Sequence, residues 1–144
     1  MKFVLLTLSY ISVLFSFPDI SQAEILDIQG SQIELTKKCH LNVTFPDKQS
    51  KTFKLNLPEN LPCNIINHSN TNIIKLEQIT NFYIFLVEAT ILKNDLCQST
   101  YTAIAVSNKG NVIISPINKR SGSCGTGRER KVFEYFAYKM KILK

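Results

Sequence analysis

The segment FYIFLVEATIL, residues 82–92, has the strongest β-sheet character in the chain, because aromatic, aliphatic and β-branched side chains follow one another almost without interruption. Such a run is typical of a central strand that is covered on both faces of its sheet. The odd-numbered face from Tyr83 to Ile91 is wholly apolar, whereas Glu88 interrupts the other face. A glutamate in a strand commonly reaches a sheet edge or pairs with a lysine, and we expect one of these arrangements for Glu88.

A hairpin is predicted before this central strand. Between residues 39 and 45, apolar and polar side chains alternate, as they do in a half-buried strand. The turn-forming sequence PDKQSK follows at residues 46–51, and a second alternating segment runs from Thr52 to Leu57. Pairing Phe45 with Thr52 would place Cys39 opposite Pro58. Residues 73–76 are expected to open a further short strand.

A second hairpin is predicted after the central strand. Its strands run from Ser99 to Ser107 and from Val112 to Ile117, joined by the sequence NKGN at residues 108–111. Gly110 can adopt the positive φ angle that such a turn requires. Extending the register of this hairpin past its ends brings Cys97 near Gly122.

The C-terminal segment, residues 130–143, fits two patterns. One is a helical stripe formed by Val132, Phe133, Phe136, Ala137, Met140 and Leu143. The other is a closing strand, because phenylalanine and tyrosine are frequent in the segment. In an all-β context we expect the strand and keep the helix as the alternative. The whole chain is thus predicted to be all-β, a small antiparallel barrel or sandwich of about seven or eight strands.

The N-terminal segment, residues 1–23, has the pattern of a secretory signal peptide. Lys2 precedes an apolar run that ends before Pro18, and the sequence Ser-Gln-Ala at residues 21–23 is a small-x-small cleavage site. Residues 24–144 are then expected to form the mature protein as a single domain. The predicted location is the periplasm or the outside of the cell, and no later segment is apolar enough to predict a membrane span.

The four cysteines of the mature part are Cys39, Cys63, Cys97 and Cys124. An even number of cysteines in an exported protein favours two disulfides. Zinc is less favoured, because the gaps of 24, 34 and 27 residues lack the short spacing of structural zinc ligands. Of the three possible pairings we expect Cys39 with Cys63 and Cys97 with Cys124, since each pair would close the base of a predicted hairpin.

Positive charge is concentrated at the C-terminal end. Residues 24–108 carry 7 basic and 8 acidic side chains, whereas residues 109–144 carry 9 basic and 2 acidic ones, a net charge of +7. Such asymmetry favours an anionic partner, and an acidic protein is the expected one. Basic side chains that only keep an exposed face hydrated are the alternative.

The glycine-rich segment after residue 119 is the candidate binding loop. Its glycines could let backbone N–H groups converge on an anion, while nearby guanidinium and ammonium groups neutralise it. The candidate binding residues are Arg120, Ser121, Gly122, Ser123, Gly125, Gly127, Arg128, Arg130 and Lys131. Alternatively, Glu129 folds back onto the same amides as an internal anion, or the loop is a structural turn held by the Cys124 disulfide.

The sequence Cys124-Gly125-Thr126-Gly127-Arg128-Glu129 resembles a Cys-Gly-x-Gly-x-Glu motif in some small exported bacterial proteins that have no assigned activity. The resemblance covers six residues. It implies export and a β-architecture, and it implies no mechanism.

Candidate catalytic groups are few. His40 is predicted on the outer face of a strand and His68 in a polar loop, and no local motif frames either of them. We therefore assign no catalytic residue, metal or cofactor. The sequence favours an exported non-enzymatic binding protein, an inhibitor or immunity protein directed at a secreted hydrolase or toxin, without a specific nucleic-acid partner. A ribonuclease-like hydrolase and a binder of anionic glycans or lipids are the alternatives.

Overall fold

The computed structural model of the protein describes residues 24–125 and 127–143. The signal peptide predicted for residues 1–23 lies outside the described residues, as do Thr126 and Lys144.

The described chain contains ten strands and one helix. In order they are β1 (Glu24–Ile28), β2 (Ser31–Leu35), β3 (His40–Thr44), β4 (Ser50–Lys54), β5 (Cys63–Ile65), β6 (Glu77–Ile79), β7 (Phe82–Lys93), β8 (Leu96–Ser107), β9 (Val112–Ile114), β10 (Lys119–Ser121) and α1 (Arg130–Lys139). Strands β1 to β4 form one antiparallel sheet in chain order. The second antiparallel sheet has the order β10-β8-β7-β5, with β6 added to β7 and β9 to β8. The predicted all-β class is confirmed.

The central strand predicted from residues 82–92 is β7, and it forms a long hairpin with β8. The two strands pair over twelve positions, from Phe82 opposite Ser107 to Lys93 opposite Leu96. Asn94 and Asp95 make the two-residue turn with φ angles of 51° and 61°, as tight hairpin turns require.

The β7–β8 hairpin is the middle of three layers. The face that carries the odd-numbered residues of β7, such as Phe85 and Val87, packs against Ile33 and Leu41 of the first sheet. Its other face, with Leu86 and further small and branched side chains, packs against α1. The prediction that this strand is covered on both faces is confirmed, because each face lies in a separate apolar cluster.

The C-terminal segment forms the helix α1, so the expectation of a closing strand was wrong. Phe133, Phe136 and Ala137 recur at helical spacing and are fully buried against the second sheet. A helix presents all three side chains to one surface, whereas a strand would turn alternate residues away from it. Packing on the uncovered sheet face therefore outweighs the β-propensity of the aromatic residues.

Two strand predictions differ from the structure in position. The first hairpin is present as β3 and β4, but Thr44 pairs with Ser50, so the predicted pairing of Phe45 with Thr52 was wrong. The turn is shorter than expected, because the Phe45 amide already bonds to the Gln49 carbonyl at 2.8 Å. Residues 73–76 form only an isolated bridge, and the strand begins at Glu77.

Both predicted disulfides are present. Cys39–Cys63 has a Cα–Cα distance of 5.3 Å, and Cys97–Cys124 has one of 5.8 Å. The first was expected at the base of a hairpin, but Cys63 belongs to β5 and therefore joins the first sheet to the second. The second ties β8, near the tip of the long hairpin, to the segment that follows β10.

A turn of the second sheet contacts turns of the first sheet at Gly110, which has a φ angle of 81°. The Ser31 hydroxyl donates a buried hydrogen bond of 2.7 Å to the Gly110 carbonyl. A Cβ atom on Gly110 would lie 2.6 Å from Cγ of Pro46 and 2.8 Å from Oγ of Ser31. Turns from both sheets therefore pack too closely here for any side chain.

We expect Gly110→Ala to lower the free energy of unfolding by about 2 to 4 kcal/mol, because it adds left-handed strain to a steric overlap. Gly122→Ala is the matched control, since its Cβ would meet nothing within 4 Å. Urea unfolding with the disulfides intact measures both changes. Equal free energies for the two variants would contradict the close packing of the turns.

Candidate functional site

Glu88 is a buried carboxylate in the middle of β7, and its residue surface is only 3% exposed. Its Oε1 accepts a 2.7 Å hydrogen bond from the Gly125 amide. Its Oε2 lies 3.8 Å from Nη2 of Arg128. The expectation that Glu88 would reach a sheet edge or pair with a lysine was wrong, because the basic C-terminal segment folds over it and supplies an arginine.

Arg128 is held through its two terminal nitrogens, whereas its buried Nε has no partner in the described chain, and its side chain is only 11% exposed. Its Nη1 donates to the hydroxyls of Ser121 and Ser123, and its Nη2 donates to the Ser99 hydroxyl and the Ser123 carbonyl, all at 3.0 Å. The guanidinium carbon lies 4.7 Å from the ring centroid of Tyr101. Arg128 therefore stabilises the loop from inside rather than extending into solvent.

The backbone amides of the glycine-rich loop also point to groups within the protein. The Gly125 amide is bonded to Glu88, and the Gly127 amide donates to the Ser69 hydroxyl at 3.3 Å. The internal anion is thus Glu88, whereas Glu129 is exposed and precedes α1. Gly125, Gly127 and Arg128 thus belong to a structural turn, which was the alternative to an anion-binding loop.

The remaining candidate binding residues are on the surface. Arg120, Gly122 and Lys131 are exposed. Arg130 is also exposed and bridges Glu77 and Glu134 at 3.2 and 3.1 Å. These exposed side chains are accessible to an anion, but no contact in the structure tests whether they bind one, so this part of the binding loop stays a prediction.

A second group of cations surrounds two tyrosines, and we call it the helix surface: Lys119 from β10 with Lys131, Tyr135, Tyr138 and Lys139 from α1. Lys119 Nζ lies 4.1 Å from the ring centroid of Tyr135, and Lys139 Nζ lies 5.6 Å from both tyrosine rings. Tyr138 is 62% exposed. Within the described residues, no carboxylate lies within 4 Å of these three ammonium groups.

Three apolar side chains next to the polar turn of the β7–β8 hairpin are exposed. Leu92 and Leu96 are 72% and 69% exposed, and Ile91 beside them is partly exposed. A shallow cavity of about 470 Å³ next to the tip is lined by Ile91 and Arg120, among others. Leu92 lies on one face of the hairpin, whereas Leu96 and Ile91 lie on the other, so these residues do not form one continuous apolar patch.

The two histidines belong to different parts of the fold. His40 is on β3 opposite Lys54, whereas His68 is in the loop between β5 and β6. Among residues 24–125 and 127–143, no group of three or more histidine, cysteine or acidic side chains is placed to hold a metal ion. In the same residues, no helix is long and apolar enough to cross a membrane.

The sequence analysis missed the pairing of Glu88 with Arg128, which are far apart in the chain. One signal could have indicated it: a carboxylate inside an otherwise apolar strand needs a cation or amide donors nearby. The exposed positions of Tyr135 and Tyr138 on one helix were also not predicted, because in a strand these two residues would lie on opposite faces.

No protein-family model, curated protein or solved structure matches this chain. The functional inference therefore depends on the geometry of its own residues.

Removing Arg128 leaves the buried Glu88 carboxylate without a counter-charge. We expect Arg128→Ala to lower the free energy of unfolding by about 3 kcal/mol, and Arg120→Ala, the exposed control, by less than about 0.5 kcal/mol. Adding Glu88→Gln to Arg128→Ala should recover about 1 kcal/mol or more, because the uncompensated charge is removed. Urea unfolding of the wild type, Arg120→Ala, Arg128→Ala and the double variant measures these changes, and equal losses for Arg128→Ala and Arg120→Ala would contradict the role of Arg128.

Proposed function

We propose that this protein is an exported binding protein whose helix surface recognises an acidic protein, and that it acts as an inhibitor or immunity protein against a secreted hydrolase or toxin. The observation that carries the proposal is that Lys119 and Lys139 lie against the rings of Tyr135 and Tyr138, with Lys131 one helical turn before Tyr135 on α1. In the described chain no carboxylate lies within 4 Å of these three ammonium groups.

Charge complementarity supports an acidic partner. Lys119, Lys131 and Lys139 are exposed, so a negatively charged surface would be attracted during diffusional encounter. Tyrosine is enriched at protein interfaces because its ring provides apolar contact area while its hydroxyl forms hydrogen bonds. Tyr135 and Tyr138 offer both among the cations.

The backbone that carries the helix surface is fixed by packing and by a disulfide. Phe133 and Phe136 anchor α1 on the second sheet with no exposed area. Lys119 is in β10, which pairs with β8, and the Cys97–Cys124 disulfide fixes the segment just after β10. Binding therefore has to order the side chains of this surface but not its backbone.

The exposed apolar residues near the end of the β7–β8 hairpin are not part of the helix surface. Ile91 and Leu96 lie on the face of the second sheet that is turned away from α1, because residues paired in register share a face. The proposal of an acidic protein partner therefore depends on the lysines and tyrosines of the helix surface alone.

The hydrolase alternative has less support. A ribonuclease of the kind considered needs a general base and a general acid at one site. His40 is on β3 of the first sheet, whereas His68 is in the loop between β5 and β6 of the second sheet. No observation in the described chain favours that function over binding.

The test uses poly-L-glutamate as an acidic polypeptide probe, with affinity measured by calorimetry at several salt concentrations. We expect the triple variant Lys119→Gln, Lys131→Gln and Lys139→Gln to bind about tenfold or more weakly and with a smaller salt dependence. The matched control is Lys37→Gln, Lys38→Gln and Lys48→Gln, which removes the same charge from exposed turns of the first sheet.

Equal losses in the two triple variants would show that only net charge matters and would overturn the proposed surface. Binding of heparin in preference to poly-L-glutamate would favour the glycan alternative. Hydrolysis of RNA that is lost in His40→Ala or His68→Ala would favour the ribonuclease.

A further inference from the structure

The β7–β8 hairpin extends beyond the part of the second sheet that the first sheet covers. The apolar cluster between the two sheets includes Ala89 of β7, and the half-buried Leu61 packs against it. Ile91, the next residue on the same face of β7, is already 42% exposed. Leu96 of β8 lies on this face as well and is 69% exposed. The face therefore continues past the core as an apolar surface in contact with water.

This face forms the floor of the shallow cavity of about 470 Å³ next to the hairpin tip, which we call the overhang groove. Its lining includes Leu61, Ala89, Ile91, Gln98, Thr100 and Arg120. None of the residues that define the helix surface lines it. Lys119 and Arg120 follow each other in β10, so their side chains point to opposite faces of the sheet. The overhang groove is therefore separate from the helix surface.

The register of the strands places the polar and apolar side chains of the groove in adjacent positions. Arg120 of β10 pairs with Thr100 of β8, and Gln98 follows two residues away on the same face of β8. Gln98 in turn pairs with Ile91 of β7. Because neighbouring strands lie about 4.8 Å apart, the backbones of β10 and β7 are separated by roughly 10 Å, with Thr100 and Gln98 between them.

Arg120 gives one side of the groove a positive charge. The residue is exposed, and in residues 24–125 and 127–143 no carboxylate lies within 4 Å of its guanidinium group. A guanidinium group binds a carboxylate through two parallel hydrogen bonds. Thr100 and Gln98 add a hydroxyl and an amide, which both donate and accept hydrogen bonds. The groove thus suits a carboxylate on one side and an apolar group, over Ile91, on the other.

From this arrangement we propose that the overhang groove binds the C-terminal residues of a peptide with apolar side chains. The terminal carboxylate lies against Arg120, the peptide groups meet Thr100 and Gln98, and an apolar side chain covers Ile91. Two residues of an extended chain span about 7 Å, and a side chain adds the remaining distance, so a C-terminal dipeptide matches a width of roughly 10 Å. This site goes beyond the proposed function, because it lies on the opposite face of the sheet from the helix surface.

Other ligand classes match fewer of these groups. A free fatty acid would pair with Arg120 and cover Ile91, but its methylene chain would leave Thr100 and Gln98 without hydrogen-bond partners. An inorganic anion would pair with Arg120 and leave the apolar side chains in water. A cation would be repelled by Arg120.

The test measures binding of N-acetyl-leucyl-leucine to the purified protein with its disulfides intact. Calorimetry gives the affinity, and amide NMR shifts at Gln98, Arg120 and Gly122 are the site-specific readout. The C-terminal amide of the same dipeptide keeps the shape without the charge, N-acetyl-seryl-serine keeps the charge without the apolar side chains, and octanoate represents a fatty acid. We expect N-acetyl-leucyl-leucine to bind about tenfold or more tightly than each of these three, because each lacks one set of contacts.

Two variants with matched controls locate the site. Arg120→Gln should weaken binding of the dipeptide about tenfold, because it removes the charge-assisted hydrogen bonds. Lys38→Gln, which removes an exposed charge from a turn of the first sheet, should leave it unchanged. Ile91→Ser should weaken binding severalfold by removing apolar contact area. Leu92→Ser is its control, since Leu92 is the adjacent exposed residue on the opposite face of the hairpin.

Equal affinities of the dipeptide and its C-terminal amide would overturn the proposal, as would affinities unchanged in both Arg120→Gln and Ile91→Ser. Tighter binding of octanoate than of the dipeptide would also overturn it and would assign the groove to a fatty acid. These outcomes leave the proposed function of the helix surface untouched, because Lys119, Lys131 and Lys139 are unchanged in every variant.

Discussion

The rest of the structure depends on the burial of the Glu88 carboxylate in a strand that is otherwise apolar on both faces. An ionised carboxylate without partners costs several kcal/mol in such an environment. The segment after β10 removes this cost by folding over the strand, where Gly125 donates its amide and Arg128 brings its guanidinium group. The same chain path leads directly into α1, so one electrostatic requirement and one apolar face together place the C-terminal helix.

This arrangement divides the basic C-terminal segment into two kinds of residue. Arg128 is inside, where serine oxygens and the Tyr101 ring surround it. Lys131 and Lys139 are outside on α1, where they and Lys119 remain exposed. Charge counting along the sequence treats all of these residues alike. Their physical roles are opposite, because the buried arginine contributes to stability while the exposed lysines are available to a partner.

The structure has two surfaces of opposite charge. The helix surface is rich in ammonium groups and tyrosine rings, which suits an acidic protein. A cleft beside β5 is lined by Glu24, Asn67 and Glu88, so it is polar and acidic where the helix surface is basic. Arg128 lies behind Glu88, so loss of this arginine would affect the folding of the loop and the charge of the cleft together.

The sequence by itself determined the β-class, the central strand covered on both faces and the presence of two disulfides, because these follow from β-propensity, local alternation and an even number of cysteines in an exported chain. It left three cysteine pairings open, and the register predicted for the first hairpin differs from that of the structure. Only the tertiary structure decided that residues 130–139 are helical and that the first disulfide joins two sheets. It also decided that Arg128 meets Glu88 inside the protein. The physical reason is that each of these features depends on a partner far away in the chain. Residues 130–139 form a helix because a helix covers the apolar face of the second sheet, and Arg128 is buried because it neutralises the Glu88 carboxylate.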